Sequence, residues 1–314
     1  FAHVRIGRTL NIEFIDWQLA DIHKILLIMN TLSEELTTLY NSKWENLIKQ
    51  LKANGLRNQL QCPFLISALR ISDIEKKREE NKLCLEEIPE NEAWYTHADI
   101  RIMFFGQEPY MWEKWDEDMK TPDVGDLMYT YEKFLGDNYV PYKNGGYFDQ
   151  DKLRSRLFKF SINGILSCLM EEMEKSYPGK TISMIWNNIS KLSAVTKSGG
   201  GPVDASVHEI EHKYFHVIPK EVEILKPNIL IFFTGPGENT YYKYIQENFT
   251  VDGNPSPLAS LSVHDVAKLP IREVELAYKT HHPNSTISDE SHWNNYHAIL
   301  NDIKENIDKL LKKE

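Results

Sequence analysis

The sequence predicts an α/β fold: a three-layer α/β/α arrangement around a central, mainly parallel four-stranded sheet, with an N-terminal helical extension. Three observations lead there. Four short apolar runs, each closed by polar residues, read as buried strands. Helical stretches separate them, so successive strands need crossover connections and run parallel. The residues before position 96 read instead as mostly helical, giving a helical region over 1–95 packed on an α/β domain over 96–314.

Taken in order, Ile25 to Met29 is an apolar run of core length. Leu36, Leu39, Tyr40, Trp44, Leu47, Ile48 and Leu51 recur at three- and four-residue spacing, which makes one apolar helix face. Asn54 and Gly55 stop that helix. Residues 72–92 are rich in Glu, Lys and Asn and read as a solvated helix or excursion. Ile100 to Phe105 is the first strand, ending at Gly106. Leu153 to Tyr177 reads as a helix closed by Pro178 and Gly179, and Ile182 to Trp186 as the second strand. Glu221 to Leu225 ends a helix before Pro227, and Ile229 to Phe233 is the third strand. Val274 to Lys279 is the fourth, and the tail from Ser291 to Leu311 is an amphipathic helix.

Composition narrows the function classes. The chain has 314 residues, 41% hydrophobic and 26% charged, enough for a substantial core and unlike a disordered chain, a collagen or a coiled-coil rod. No apolar run approaches the ~18 residues of a membrane helix, so no membrane partner is expected. The start carries no apolar signal core, and it lacks Met, which fits a processed or tagged start. Cys62, Cys84 and Cys168 are far apart and form neither a metal cluster pattern nor a disulfide framework. A reducing, cytoplasmic setting and a monomer are the expectations. The formal net charge of −10 argues against non-specific polyanion binding but leaves room for a local basic groove.

In parallel sheets ligands bind beyond the carboxyl ends of the strands. Those ends carry Gly106 to Tyr110, Asn187 with Asn188, Gly235 to Gly237, and His281 to Pro283. Four polar clusters on one edge mark it as the candidate site. Glu108 lies between Gly106 and Pro109, where a stiff loop can hold a carboxylate beside a reacting centre. His282, extended before Pro283, can donate to a developing anion or shuttle a proton. Asn187 offers a donor and an acceptor, which suits a nucleobase edge, or else it caps a helix. Tyr110 and Tyr129 can pack on a planar ligand. Lys191, Lys197 and Gly199 to Gly201 are candidates for phosphate contact.

Together these residues resemble the uracil-DNA glycosylase superfamily, most closely its uracil-removing branch. Ile102 to Tyr110 is similar to that branch's strand followed by Gly-Gln-Asp-Pro-Tyr-His. His282 to Ser285 approximates its His-Pro-Ser-Pro motif, and Met184 to Asn187 resembles the strand ending in a base-reading Asn. Asp126 to Thr130 resembles the segment bearing a stacking Phe, with Tyr129 in that place. Phe233 to Pro236 stands where a Gly-Ser loop grips phosphate. Order and spacing agree over residues 96–314.

The resemblance implies a DNA glycosylase that flips a uracil or modified pyrimidine from DNA and hydrolyses its N-glycosidic bond. The setting would be base-excision repair or defence against phage DNA carrying modified bases. It implies that Glu108 stabilises the cationic sugar and orients water, and that His282 donates to the departing base. It further implies a base pocket of Gln107, Tyr110, Tyr129 and Asn187, DNA contacts from Lys191, Gly235, Ser285 and Thr286, and no metal or other cofactor. The chain departs from the pattern in several places. Glu108 replaces Asp, Met111 follows Tyr110 where His is usual, and Thr286 stands where an intercalating Leu is usual. Pro236 takes the place of a phosphate-contacting Ser, and no Pro-rich loop is evident near Asn144 to Gly146.

Two rival readings come from other classes. His208, Glu209 and His212 match His-Glu-x-x-His, which on a helix presents two imidazoles to Zn²⁺ with Glu209 as base, and Glu221 or Glu223 as third ligand. That is a zinc metallopeptidase. The other is a non-catalytic nucleic-acid-binding module of the same fold.

Overall fold

A computed structural model describes residues 31–56, 58–70, 92–138, 165–197, 199–235 and 237–312. The expected features at Ile25 to Met29, over 72–91, at Asn144 to Gly146 and over 153–164 lie outside the described residues, as does Pro236.

Helix α1, Leu32–Ala53, begins with a capping box in which Thr31 and Glu34 satisfy each other's backbone amides. Glu92 adds a second cap, accepting from the amides of Leu32 and Ser33 at 2.8 and 2.7 Å. The helix buries Leu36, Tyr40, Leu47, Ile48 and Leu51, five positions of the predicted apolar face, and it stops at Asn54. Those side chains belong to the same buried cluster as the sheet. Short helix α2 is Ala93–Thr96 and strand β1 is Ile100–Gly106. Next come α3, Val124–Asn138, and α4, Ser167–Ser176. Strand β2 is Ile182–Asn188, and a small hairpin pairs β3, Ala194–Thr196, with β4, Gly199–Gly201. Helices α5, Ala205–Tyr214, and α6, Ile218–Leu225, precede β5, Ile229–Phe232. Then follow α7, Thr240–Asn248, and strands β6, Ser256–Pro257, β7, Val266–Lys268, and β8, Leu276–Thr280. Helix α8, Asp289–Leu311, closes the chain, capped by the Ser288 hydroxyl.

The protein is a mixed α/β structure around a six-stranded, mostly parallel sheet ordered β2-β1-β5-β8-β7-β6. The four predicted strands are β2, β1, β5 and β8, and each neighbouring pair among them is parallel. The expected count of four is corrected to six, because β7 and β6 extend the edge antiparallel. Strands β1, β2, β5 and β8 are almost wholly buried, as the continuous apolar runs require. On one face Phe104, Trp186 and Phe233 stack, and Phe233 meets Tyr296 of α8. On the other, Phe105 stacks on Phe232 and both meet Phe249 beyond α7. Among the described residues, no helix is long and apolar enough to cross a membrane.

Candidate active site

Parallel pairing brings the predicted clusters to one sheet edge, and hydrogen bonds join them directly. Ile189 and Ser190, leaving β2, donate their amides to the carbonyls of Gly106 and Gln107 at 3.1 and 3.0 Å. The Gln107 side-chain amide donates to the Thr234 carbonyl at 3.3 Å. Gly235 donates its amide to the Thr280 carbonyl at 3.1 Å, tying the end of β5 to the end of β8. Glu108 and His282 leave β1 and β8, which flank β5.

Glu108 is half-buried, and burial pushes its carboxyl above the usual range. The Tyr241 hydroxyl, in the first turn of α7, donates to Glu108 Oε2 and opposes that rise. Residue by residue reading of the sequence missed Tyr241. The available signal was Asn239, whose side chain caps α7 by accepting from the Tyr242 amide at 2.9 Å. A helix start immediately after a strand end puts its first-turn side chains at the sheet edge.

His282 is pulled down to about 4, first by burial and then by the neighbouring His292. Its Nδ1 accepts from the Asn284 amide at 3.1 Å. A backbone N–H can only donate, so the neutral ring carries its proton on Nε2. The site therefore offers a neutral imidazole N–H near neutral pH. Ser285 donates its amide to the His282 carbonyl at 2.8 Å, closing the turn, and its hydroxyl lies 3.3 Å from His292 Nε2. Thr286 is exposed beside it.

Asn187 requires a correction. It is wholly buried, and its amide nitrogen donates to Glu221 Oε2 at 2.9 Å. Its Oδ1 accepts from the Asn188 amide at 2.8 Å and from Lys191 Nζ at 2.6 Å. Nothing remains of it to read a base edge. Asn188 lies on the opposite face of β2, opposite Gly106 in the register. A Cβ at Gly106 would collide with Asn188 Oδ1, so this glycine is what lets the Asn188 side chain lie across the end of β1. Asn188 is buried as well, at the carboxyl end of β2.

Lys191 is also corrected. It is fully buried and paired with Glu221 at 2.7 Å, so it cannot reach a phosphate. Burial pulls its ammonium down while Glu221 opposes this. Tyr40 of α1 donates to the same Glu221 at 2.6 Å, and burial beside that carboxylate holds the phenol high. This network ties α1, α6 and the exit of β2 together. Lys191→Met should destabilise the fold by about 3–5 kcal/mol, because it leaves a buried carboxylate uncompensated. Equilibrium denaturation checks this, and an unchanged midpoint would show that the pair contributes nothing.

Gly235 does not grip phosphate through its amide, which is taken by Thr280. The Gly199 to Gly201 strand is not an anion nest either. A Cβ at Gly200 would strike the Pro109 carbonyl oxygen, so β4 is bare of side chains where the loop after Glu108 rests on it. Lys197, at the hairpin tip, is exposed. Tyr110 is 62% exposed and Met111 74%, with Met111 held at φ 53. They form an outward apolar tip, so Tyr110 does not wall a buried pocket. Tyr129 is 52% exposed and lines an open groove with Trp115, Asp116, Pro122 and Asp126, which Glu108, Asn188 and His282 do not line.

The zinc reading finds no support in this geometry. His208 Nε2 contacts Glu247 at 2.6 Å, and the His208 ring stacks on Tyr244 at 3.6 Å. Glu221 is held by Lys191 and Tyr40, and Glu223 pairs with Lys220 at 2.5 Å. Among the described residues, no group of three potential ligands converges on a cation position. No protein-family model matches the chain, and no curated protein matches it.

Proposed function

We propose that this protein is a DNA glycosylase, a three-layer α/β/α hydrolase that extrudes a uracil or modified pyrimidine and breaks its N-glycosidic bond. The observation that supports the reading is that two unlike groups follow β1 and β8, the strands that flank β5. One is a carboxylate without a cationic partner among its described contacts, and the other is a neutral imidazole N–H. Bond cleavage builds positive charge on the sugar and negative charge on the base. Glu108 answers the first charge and His282 Nε2–H the second, both preorganised on rigid strand ends.

Asn188 replaces Asn187 as the group that reads the base, with Gln107 beside it on the neighbouring strand end. Tyr110 and Met111 supply an apolar tip next to Glu108, of the kind that stacks on bases or fills a gap in a duplex. Lys197 and Thr286 are the exposed candidates for backbone contact. DNA affinity should fall with added salt, on a shallow slope if few phosphates are neutralised.

The test is incubation with oligonucleotides carrying uracil or modified pyrimidines, read by released-base mass and alkali-labile sites. The expected result is one preferred base released, with an abasic site left. Asn188→Ala should broaden that preference, while Asn187→Ala should lower stability and leave the preference unchanged. If the native protein cuts no substrate yet binds DNA, the binding-module reading replaces this one.

A further inference from the structure

The His208 to His216 segment, unused by the site, lies against the helix that carries Tyr241. Tyr244 meets Tyr241 edge to face at 5.9 Å and 88°. On its other side Tyr244 stacks nearly flat on His208, 3.6 Å between centroids and 12° between planes. His208 is in turn fixed to Glu247, one turn further along α7, at 2.6 Å. The stack therefore runs Glu247, His208, Tyr244, Tyr241 and ends on Glu108. Each ring restricts the next, and only the last touches the carboxylate.

We propose that Tyr241 is a positioning residue for Glu108: its hydroxyl aims the carboxylate and favours its ionised form, and the Tyr244–His208–Glu247 stack holds the phenol in place. The proposal deepens the glycosylase reading and rests on it for its kinetic half alone. Physically, a half-buried carboxylate pays a desolvation penalty when charged. A hydrogen bond from a phenol offsets that penalty without bringing in a cation that would repel the positive sugar. The longer reach of Glu also needs a fixed partner, since its extra methylene adds a rotatable bond that would otherwise spread the carboxylate over several positions. The stack gives His208 a packing role against α7.

The experiment uses the full chain with ¹³Cδ-labelled glutamate, and Glu108→Gln identifies the Glu108 resonance. In Tyr241→Phe the Glu108 titration midpoint should rise by about one pH unit, because the bond that favours its charged form is gone. Tyr244→Ala, which loosens the phenol without removing it, should give a smaller rise. Single-turnover excision by Tyr241→Phe should then show its acid limb moved to higher pH, with most of the rate recovered at alkaline pH. A merely structural defect would lower the rate equally at every pH. An unchanged Glu108 midpoint in Tyr241→Phe overturns the proposal, whatever the kinetics. A raised midpoint in a protein that excises nothing keeps the positioning role and removes the glycosylase reading.

Discussion

Glu108→Gln should abolish most base excision and leave DNA affinity nearly intact. Gln keeps the length and shape of the side chain, and its carbonyl oxygen can still accept from the Tyr241 hydroxyl that now meets Glu108 Oε2. Only the charge is lost. A carboxylate about 4 Å from a developing unit positive charge is worth roughly 4 kcal/mol at an effective dielectric of ~20. That corresponds to a rate loss on the order of a thousandfold. The ground-state sugar is neutral, so binding loses little. Removing a negative charge near phosphates should tighten it slightly. Single-turnover kinetics beside binding titrations separate the two effects. Wild-type excision by the Gln variant would remove Glu108 from the mechanism, and a matching loss of binding would make its role recognition.

The parallel part of the sheet was legible because its strands are buried on both faces, which writes near-continuous apolar runs into the sequence. Strands β6 and β7 were not, since two and three residues are too few to show a period. The β3–β4 hairpin is illegible for a different reason. Gly200 is set by the close approach of Pro109 and Gly199 by Tyr110 and Met111, contacts with a segment some ninety positions earlier. Helix α1 was readable from its repeat, yet nothing in that repeat distinguished Tyr40, whose hydroxyl enters the network behind the site, from an ordinary apolar position.

The candidate site was legible as a place, the carboxyl ends of parallel strands, where Glu108 and His282 stand. It was illegible where two adjacent residues compete. Neighbouring side chains on a strand face opposite ways, so a one-residue shift between Asn187 and Asn188 exchanges the Glu221–Lys191 network for the side that meets Gly106. Telling the two apart requires knowing that Tyr40, Lys191 and Glu221 gather on the Asn187 side. Lys191 itself reads as a surface cation beside glycines, and only its tertiary partner reveals a buried ion pair. Tyr241 carries no motif, and its importance comes entirely from the carboxylate it meets.

His282→Ala should slow excision on the order of a hundredfold, the usual cost of one preorganised donor to a developing anion. Its effect and that of Glu108→Gln need not add, because both act on one breaking bond. The same residue predicts a pH dependence of stability. Its pKa is about 4 in the folded protein against an ordinary 6.5. Between those values the unfolded chain binds the proton that the folded chain refuses, so stability rises with pH across the window. The contribution is fully present above about 6.5 and is lost as the pH falls toward 4. Its size is about 3 kcal/mol for a displacement of that width. His282→Ala removes the group and with it this share of the acid sensitivity. Denaturant titrations at pH 7 and pH 4.5 should therefore show the native protein losing more stability on acidification than the variant does. Equal losses would mean that His282 is not held neutral by its surroundings, and the neutral-donor role would fall with it. A variant that loses excision but keeps the native acid sensitivity would place the lost rate in altered loop geometry instead of a missing donor.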